Sequence, residues 1–479
     1  MTAREVSAAA SERDSNRDSD RDSERDSVRG EPCWAPGDSP GDAPGRATTA
    51  APAPRISGGL TADVAVVGAG LAGLSTAYHL IERDPSLDIV VVDARHPAAG
   101  ASGRGTGLLG PRVGPAIDRA ARTFGPSTAR RMYLASVAAV ERVVALTEEL
   151  GAPCGLRAGE QIVATRGADG LASLARQAET YRALGLDVPV LSAAAIRERV
   201  DVPYHAGLLY RSAATLNPAA LSGALAAACA AKGVRFHDDS PLRGLRPGSG
   251  AAPTELLFPS GTLRARKTVL AVNAAAGSLG LPVGTVLPLQ VHAVATDPLG
   301  AEARAALGGA TGTAVVNAMS LAPYFRLSHD GRLVVGGGRA VHLPGLSPDR
   351  AAALRTATWS WLEERLRLLH PSLADVPVSH RWSGQIGMTL DDLPVVGHVG
   401  GHPDIWYIGG CCGHGLAMSV AHGAHVAHSL VEDPSAAHGP VSYPWHRDQA
   451  PRVPLTARPA RGLLRAYLSS LDRAARRTP

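Results

Sequence analysis

Gly68, Gly70 and Gly73 form a G-x-G-x-x-G between an apolar run, Asp63-Val-Ala-Val-Val-Gly, and a stretch with helical spacing through Leu71, Leu74, Tyr78 and Ile81. Few folds accept that order of strand, glycine turn and helix. The first glycine permits a tight turn, and the second lets the backbone approach a pyrophosphate. The third allows close helix packing, and the helix N-terminus favours negative charge. A second apolar run, Leu87-Asp-Ile-Val-Val-Val, ends at Asp93, whose carboxylate can accept hydrogen bonds from ribose hydroxyls. An acid there disfavours a 2′-phosphate and leaves FAD or NAD. Residues 64–81 are mostly apolar, but three glycines in six positions and the flanking strand pattern oppose a membrane helix.

The rest of the chain supports a globular α/β protein. With 479 residues and 45% hydrophobic content it can bury a sizeable core, of two or three domain-sized units by length. The net charge of +5 is unevenly placed: residues 1–59 carry 8 basic and 11 acidic groups, and residues 446–479 carry 8 and 2. The body between them is nearly neutral, so no nucleic-acid partner is expected. The basic tail, with Arg458, Arg461, Arg465, Arg473, Arg476 and Arg477, reads as a solvated helix face, with a weak membrane or partner contact as the minor reading. Cys33, Cys154, Cys229, Cys411 and Cys412 are odd in number and form no CxxC pair, so no metal site is expected. A reducing compartment, the absence of an apolar leader before residue 60 and the many N-terminal acids together suggest the cytoplasm.

Residues 1–59 read as a disordered extension that buries nothing. Residues 60–150, 201–283 and 381–440 are expected to form a discontinuous Rossmann-like cofactor domain. Residues 151–200 and 284–380 are expected to form a smaller substrate domain on a mostly antiparallel sheet, and 441–479 a basic tail with a helix.

Two further blocks carry a resemblance. Gly100-Ala-Ser102-Gly103-Arg104 follows the second strand. Much later come Trp382-Ser-Gly384, Thr389-Leu-Asp391-Asp-Leu-Pro394-Val-Val-Gly397 and Gly413-His414-Gly415-Leu416. With Leu216-Asn-Pro218, Leu242 and Asn273 in order between them, residues 60–440 resemble the D-amino acid oxidase superfamily of FAD-dependent oxidoreductases, nearest its glycine/sarcosine oxidase and gamma-glutamylputrescine oxidase branch. The resemblance implies FAD held by Gly68, Gly70, Gly73, Asp93, Ala94, Ser102, Gly103, Arg104, Leu242, Asn273, Gly413, His414, Gly415 and Leu416. Ser102 would bring a hydroxyl, and Arg104 a cation, to the pyrophosphate. Because no cysteine lies near Gly384, where covalently flavinylated sarcosine oxidases carry theirs, the FAD is expected to be noncovalent.

On the substrate side the resemblance points to Tyr324, Arg326 and Trp382, with Arg326 as the leading carboxylate ligand and Arg112 and His292 behind it. It implies oxidation of the C–N bond of a small amine or amino acid to an imine, with oxygen as acceptor and hydrogen peroxide as product. The alternatives are a dehydrogenase of the same fold that passes electrons to a quinone or another acceptor, and a flavoprotein without catalysis. A flavin hydroxylase is disfavoured because Gly-Asp occurs only at Gly37-Asp38 and Gly41-Asp42.

Overall fold

The computed structural model describes residues 30, 32–34, 52–248, 252–318, 322–338, 348–431 and 443–452. Two sheets organise them. In the first, β1 (Gly58–Val67) lies between β2 (Ile89–Val92) and the strand Gly261–Leu270, parallel to both. Arg235–His237 extends the sheet beyond β2, and His402–Gly409 extends it on the other side, again in parallel. Val64–Val67 and all of β2 are apolar and covered on both faces, as parallel strands flanked by helices require. Helix α1 (Leu71–Arg83) follows β1 directly and packs on the last helix, Gly415–Val431. Their approach is close at Gly423, where a Cβ would stand 2.7 Å from the Ala72 carbonyl oxygen. The chain leaves β1 toward β2 on one side and later returns on the other. This puts a crevice at the carboxyl end of β1, where such sheets take their ligands.

The second sheet is mostly antiparallel and runs Val378–Met388, Leu287–Pro298, Arg332–Gly337, Tyr324–Leu327, Ala314–Asn317, Arg157–Thr165, Ala206–Thr215, Leu108–Leu109. Its single parallel pair joins Ala314–Asn317 to Arg157–Thr165. Ala206–Thr215 and residues 381–388 fall within the segments expected to form the cofactor domain. They hydrogen-bond into this second sheet instead, because their partners, Arg157–Thr165 and Leu287–Pro298, are distant in sequence. Helices begin where local chemistry dictates: Asn217 accepts from the Ala219 and Ala220 N–H groups ahead of Pro218–Ala231, and Pro126 opens Pro126–Glu149.

One expectation fails at the N-terminus. Cys33 is only 4% exposed, packed with Ala293, Ala295, Val334 and Trp382, so part of the region before residue 60 does bury apolar surface. β1 itself begins at Gly58. Of the basic tail expected over 441–479, only residues 443–452 are described, and the helix expected in it lies outside the described residues. Among those described, no helix is long and apolar enough to cross a membrane.

Candidate active site

A cavity of about 2480 Å³ opens at the carboxyl end of β1 and runs between the two sheets. At one end the glycine turn explains itself sterically. Gly68 has φ +105°, and a Cβ there would lie 2.5 Å from the Ala271 carbonyl oxygen; a Cβ at Gly73 would lie 1.9 Å from that of Gly68. Gly70 is extended, at φ −81°, and offers no side-chain cap to α1, whose first turn carries no acid. The helix N-terminus is therefore open to an anion. Beside it the Leu71 N–H donates to Ser102 Oγ at 2.9 Å. The Asp93 carboxylate lines the cavity and accepts one bond on each oxygen, from the Ala69 and the Arg95 N–H, both at 2.8 Å. Each oxygen keeps further acceptor capacity. Burial raises the pKa of Asp93, and those two N–H groups oppose the shift.

Arg104 departs from expectation. It ends the short helix α2 (Ala101–Arg104), and its guanidinium donates to the carbonyl oxygens of Ser383 at 2.7 Å and Gly30 at 2.6 Å. The cation expected at the pyrophosphate is thus directed into the second sheet. Ala94, Leu242 and Asn273 line the cavity. Asn273 ties its far rim together: its Oδ1 accepts from the Gly410 N–H at 3.0 Å, and its carbonyl accepts from the Tyr407 hydroxyl at 2.6 Å.

At that far end a second helix N-terminus faces the cavity. Gly413 takes φ +84°, His414 turns inward, and Gly415 starts the final helix with no acid in its first turn. His414 Nδ1 is buried without a hydrogen-bond partner. Burial first, and the Arg112 charge second, pull its pKa down to about 3, so the ring is neutral at physiological pH and a poor general base. Cys411 and Cys412 sit in the same turn, and burial raises both thiols, Cys412 to about 12, so neither presents a thiolate. Two helix N-termini with no acid in their first turns, a carboxylate at a strand end and an orphaned imidazole nitrogen along one cavity fit FAD.

The substrate-side expectations divide. Tyr324 and Trp382 line the cavity, but Arg326 does not. Arg326 is 3% exposed, and its guanidinium donates to the carbonyl oxygens of Thr106, Leu327 and Leu216. Burial lowers its pKa to about 10, so it keeps its charge as a bolt between strands and leaves no free fork for a carboxylate. His292 is likewise buried, with Nδ1 2.8 Å from Ser383 Oγ. Arg112 differs: its side chain is exposed into the cavity, and it has neither hydrogen bond nor ion pair among the described residues. Its charge acts on His414, Tyr181 and Tyr210.

Sequence reasoning missed the wall opposite. Tyr133, Tyr181 and Tyr210 pack edge to face or tilted, with 3.1 Å between the Tyr181 and Tyr210 hydroxyls. Gln161 beside them is 7% exposed, and its Oε1 is buried without a partner. These residues come from two helices and two strands with no shared spacing, so no motif marks them.

Comparisons with known proteins bear on the fold and the cofactor. The model of the DAO family, FAD dependent oxidoreductase, matches residues 63–429. Gamma-glutamylputrescine oxidoreductase of Escherichia coli (strain K12) is 29% identical over 88% of this chain and 96% of its own length. Among solved structures, glycine oxidase from Geobacillus kaustophilus superposes with TM-score 0.63 at 21% identity, covering 78% of this chain and 96% of that one. L-amino acid deaminase from Proteus vulgaris, with a specific insertion deleted, gives 0.62 at 19% identity, covering 81% and 95%.

Proposed function

Because the chain belongs to the DAO family of FAD-dependent oxidoreductases, we propose that it oxidises the C–N bond of a small amine or amino acid to an imine, with oxygen as electron acceptor. The observation that carries the substrate reading is Arg112, a guanidinium in the cavity with no hydrogen bond or ion pair among the described residues. When bound, FAD supplies the two-electron acceptor for the substrate C–H and the route of those electrons to oxygen.

The chain's own groups do the rest. Arg112 holds a carboxylate by paired, charge-assisted hydrogen bonds. The orphaned Gln161 Oε1 accepts an N–H of the substrate amine, which removes the cost of leaving that oxygen buried and unbonded. The tyrosine wall excludes water, and the N-terminus of Gly415–Val431 favours negative charge at its end of the cavity. His414, held neutral, takes no proton, so the amine must arrive unprotonated, and positioning supplies much of the rate. The imine then hydrolyses in water. In balance, substrate, oxygen and water give a carbonyl compound, the released amine or ammonia, and hydrogen peroxide.

An anaerobic screen of amines and amino acids, read by bleaching of flavin absorbance, identifies the substrate, and the same substrate under air is expected to give one peroxide per imine. Bleaching and dye reduction with no peroxide would replace the oxygen step with a dehydrogenase. Absence of bleaching with every amine would overturn the reading. Acid precipitation should leave the flavin in the supernatant, since the Cys411 and Cys412 thiols stay protonated and neither is placed by sequence at the known linkage position. Yellow pellet protein would show a covalent bond.

A further inference from the structure

Gly30 and residues 32–34 lie in a stretch whose composition argues against a fold, yet they pack behind residues that line the cavity. The Trp34 indole N–H donates to the Gly103 carbonyl oxygen at 2.8 Å, and the Trp382 indole N–H donates to that of Arg104 at 3.0 Å. Two tryptophans from opposite ends of the chain thus bind the last two carbonyls of α2, which intrahelical bonding cannot satisfy. Their rings meet edge to face with centroids 5.3 Å apart. Trp34 also covers the buried Arg326 guanidinium, at 5.5 Å from ring centroid to Cζ. Cys33 fills the adjoining slot among Ala293, Ala295 and Val334. On the other side the Arg104 guanidinium grips the Gly30 carbonyl, and a Cβ on Gly30, at φ +110°, would stand 1.8 Å from the Arg381 carbonyl oxygen. Ser102, Arg104 and Trp382 all line the cavity, but Trp34 does not.

We infer that Gly30, Cys33 and Trp34 form a clasp behind the FAD site, in which Trp34 is a positioning residue that holds α2 and Trp382 in place through the Gly103 carbonyl. Its action reaches the cofactor through Ser102, whose Oγ accepts from the first N–H of α1. The inference is independent of which substrate is oxidised.

The test uses the full chain with Trp34→Ala or Trp34→Phe, and chains lacking residues 1–29 or 1–36, each read by the FAD dissociation constant of the apoprotein and by its melting temperature. Trp34→Ala should weaken FAD roughly tenfold or more, losing ring packing and hydrogen bond together. Trp34→Phe, which keeps most of the packing but has no N–H, should cost about three- to tenfold, the range of one lost neutral hydrogen bond. Removal of 1–29 should leave FAD affinity unchanged, and removal of 1–36 should reproduce Trp34→Ala. An unchanged dissociation constant for Trp34→Ala, even with a lowered melting temperature, would reduce the clasp to scaffolding and overturn the inference. Weakening by removal of 1–29 alone would overturn its assignment to these residues. Should Trp34→Ala fail to fold, Trp34→Phe decides by the same two readings.

Discussion

Gly70→Val should cost the protein its FAD. A Cβ at Gly70 meets only the Ser102 side chain, its Oγ at 2.9 Å and its Cβ at 3.9 Å, and the two γ-methyls beyond it occupy the space in front of the open α1 N-terminus. The backbone is not the obstacle. Gly70 lies at φ −81°, which valine adopts, and the positive φ of this turn belongs to Gly68. The loss should therefore fall on the ligand and not on folding: the methyls stand where a pyrophosphate must approach, and they push Ser102 off the Leu71 N–H. FAD affinity should fall by at least about 100-fold, equivalent to about 2.7 kcal/mol. The flavin-to-protein absorbance ratio after purification and a titration of the apoprotein measure it. Gly70→Ala, needing only a small shift of the Ser102 hydroxyl, should lose far less. Full flavin content in Gly70→Val would place the pyrophosphate elsewhere.

Arg112→Met should abolish most turnover of a carboxylate-bearing substrate while leaving FAD bound. Methionine keeps a flexible stem of similar reach but offers no charge, so the substrate carboxylate enters the cavity without its partner. Losing such a contact costs on the order of 2 to 5 kcal/mol, or roughly 30- to several-thousand-fold in kcat/KM. Arg112→Lys should recover part of this, since it restores charge without the bidentate fork. An amine of the same size lacking the carboxylate should be nearly indifferent to both changes. Equal loss for both substrates would make Arg112 a wall of the cavity, and no loss for either would send the carboxylate to another group.

Arg112 and Arg326 show where sequence reading stops. Each is an arginine in an apolar neighbourhood, and in sequence Arg326, on the strand pair resembling the roof of the substrate domain, is the stronger candidate. The carbonyls of Thr106, Leu216 and the adjacent Leu327, and the Trp34 ring, occupy Arg326, three of the four coming from distant parts of the chain. Arg112 has no such neighbours and keeps its guanidinium in the cavity. Availability is a property of what surrounds a side chain, and those surroundings come from distant residues.

What the sequence by itself determined is the glycine-turn end of the cavity. The turn at Gly68–Gly73, the helix it opens and the acid at Asp93 lie within one short stretch, and their geometry follows from local sterics: a positive φ at Gly68, a close contact at Gly73 and a carboxylate at a strand end. Backbone chemistry of that range is written in neighbouring residues, so it is legible without a fold. Only the tertiary structure decided the rest of the cavity and what packs behind it. The tyrosine wall, the orphaned Gln161 oxygen, the turning of Arg104 toward Ser383 and Gly30, and the docking of Cys33 and Trp34 each join segments far apart in the chain. Packing of that kind depends on shape complementarity between surfaces that exist only once both sheets have formed, and neither composition nor spacing encodes it locally.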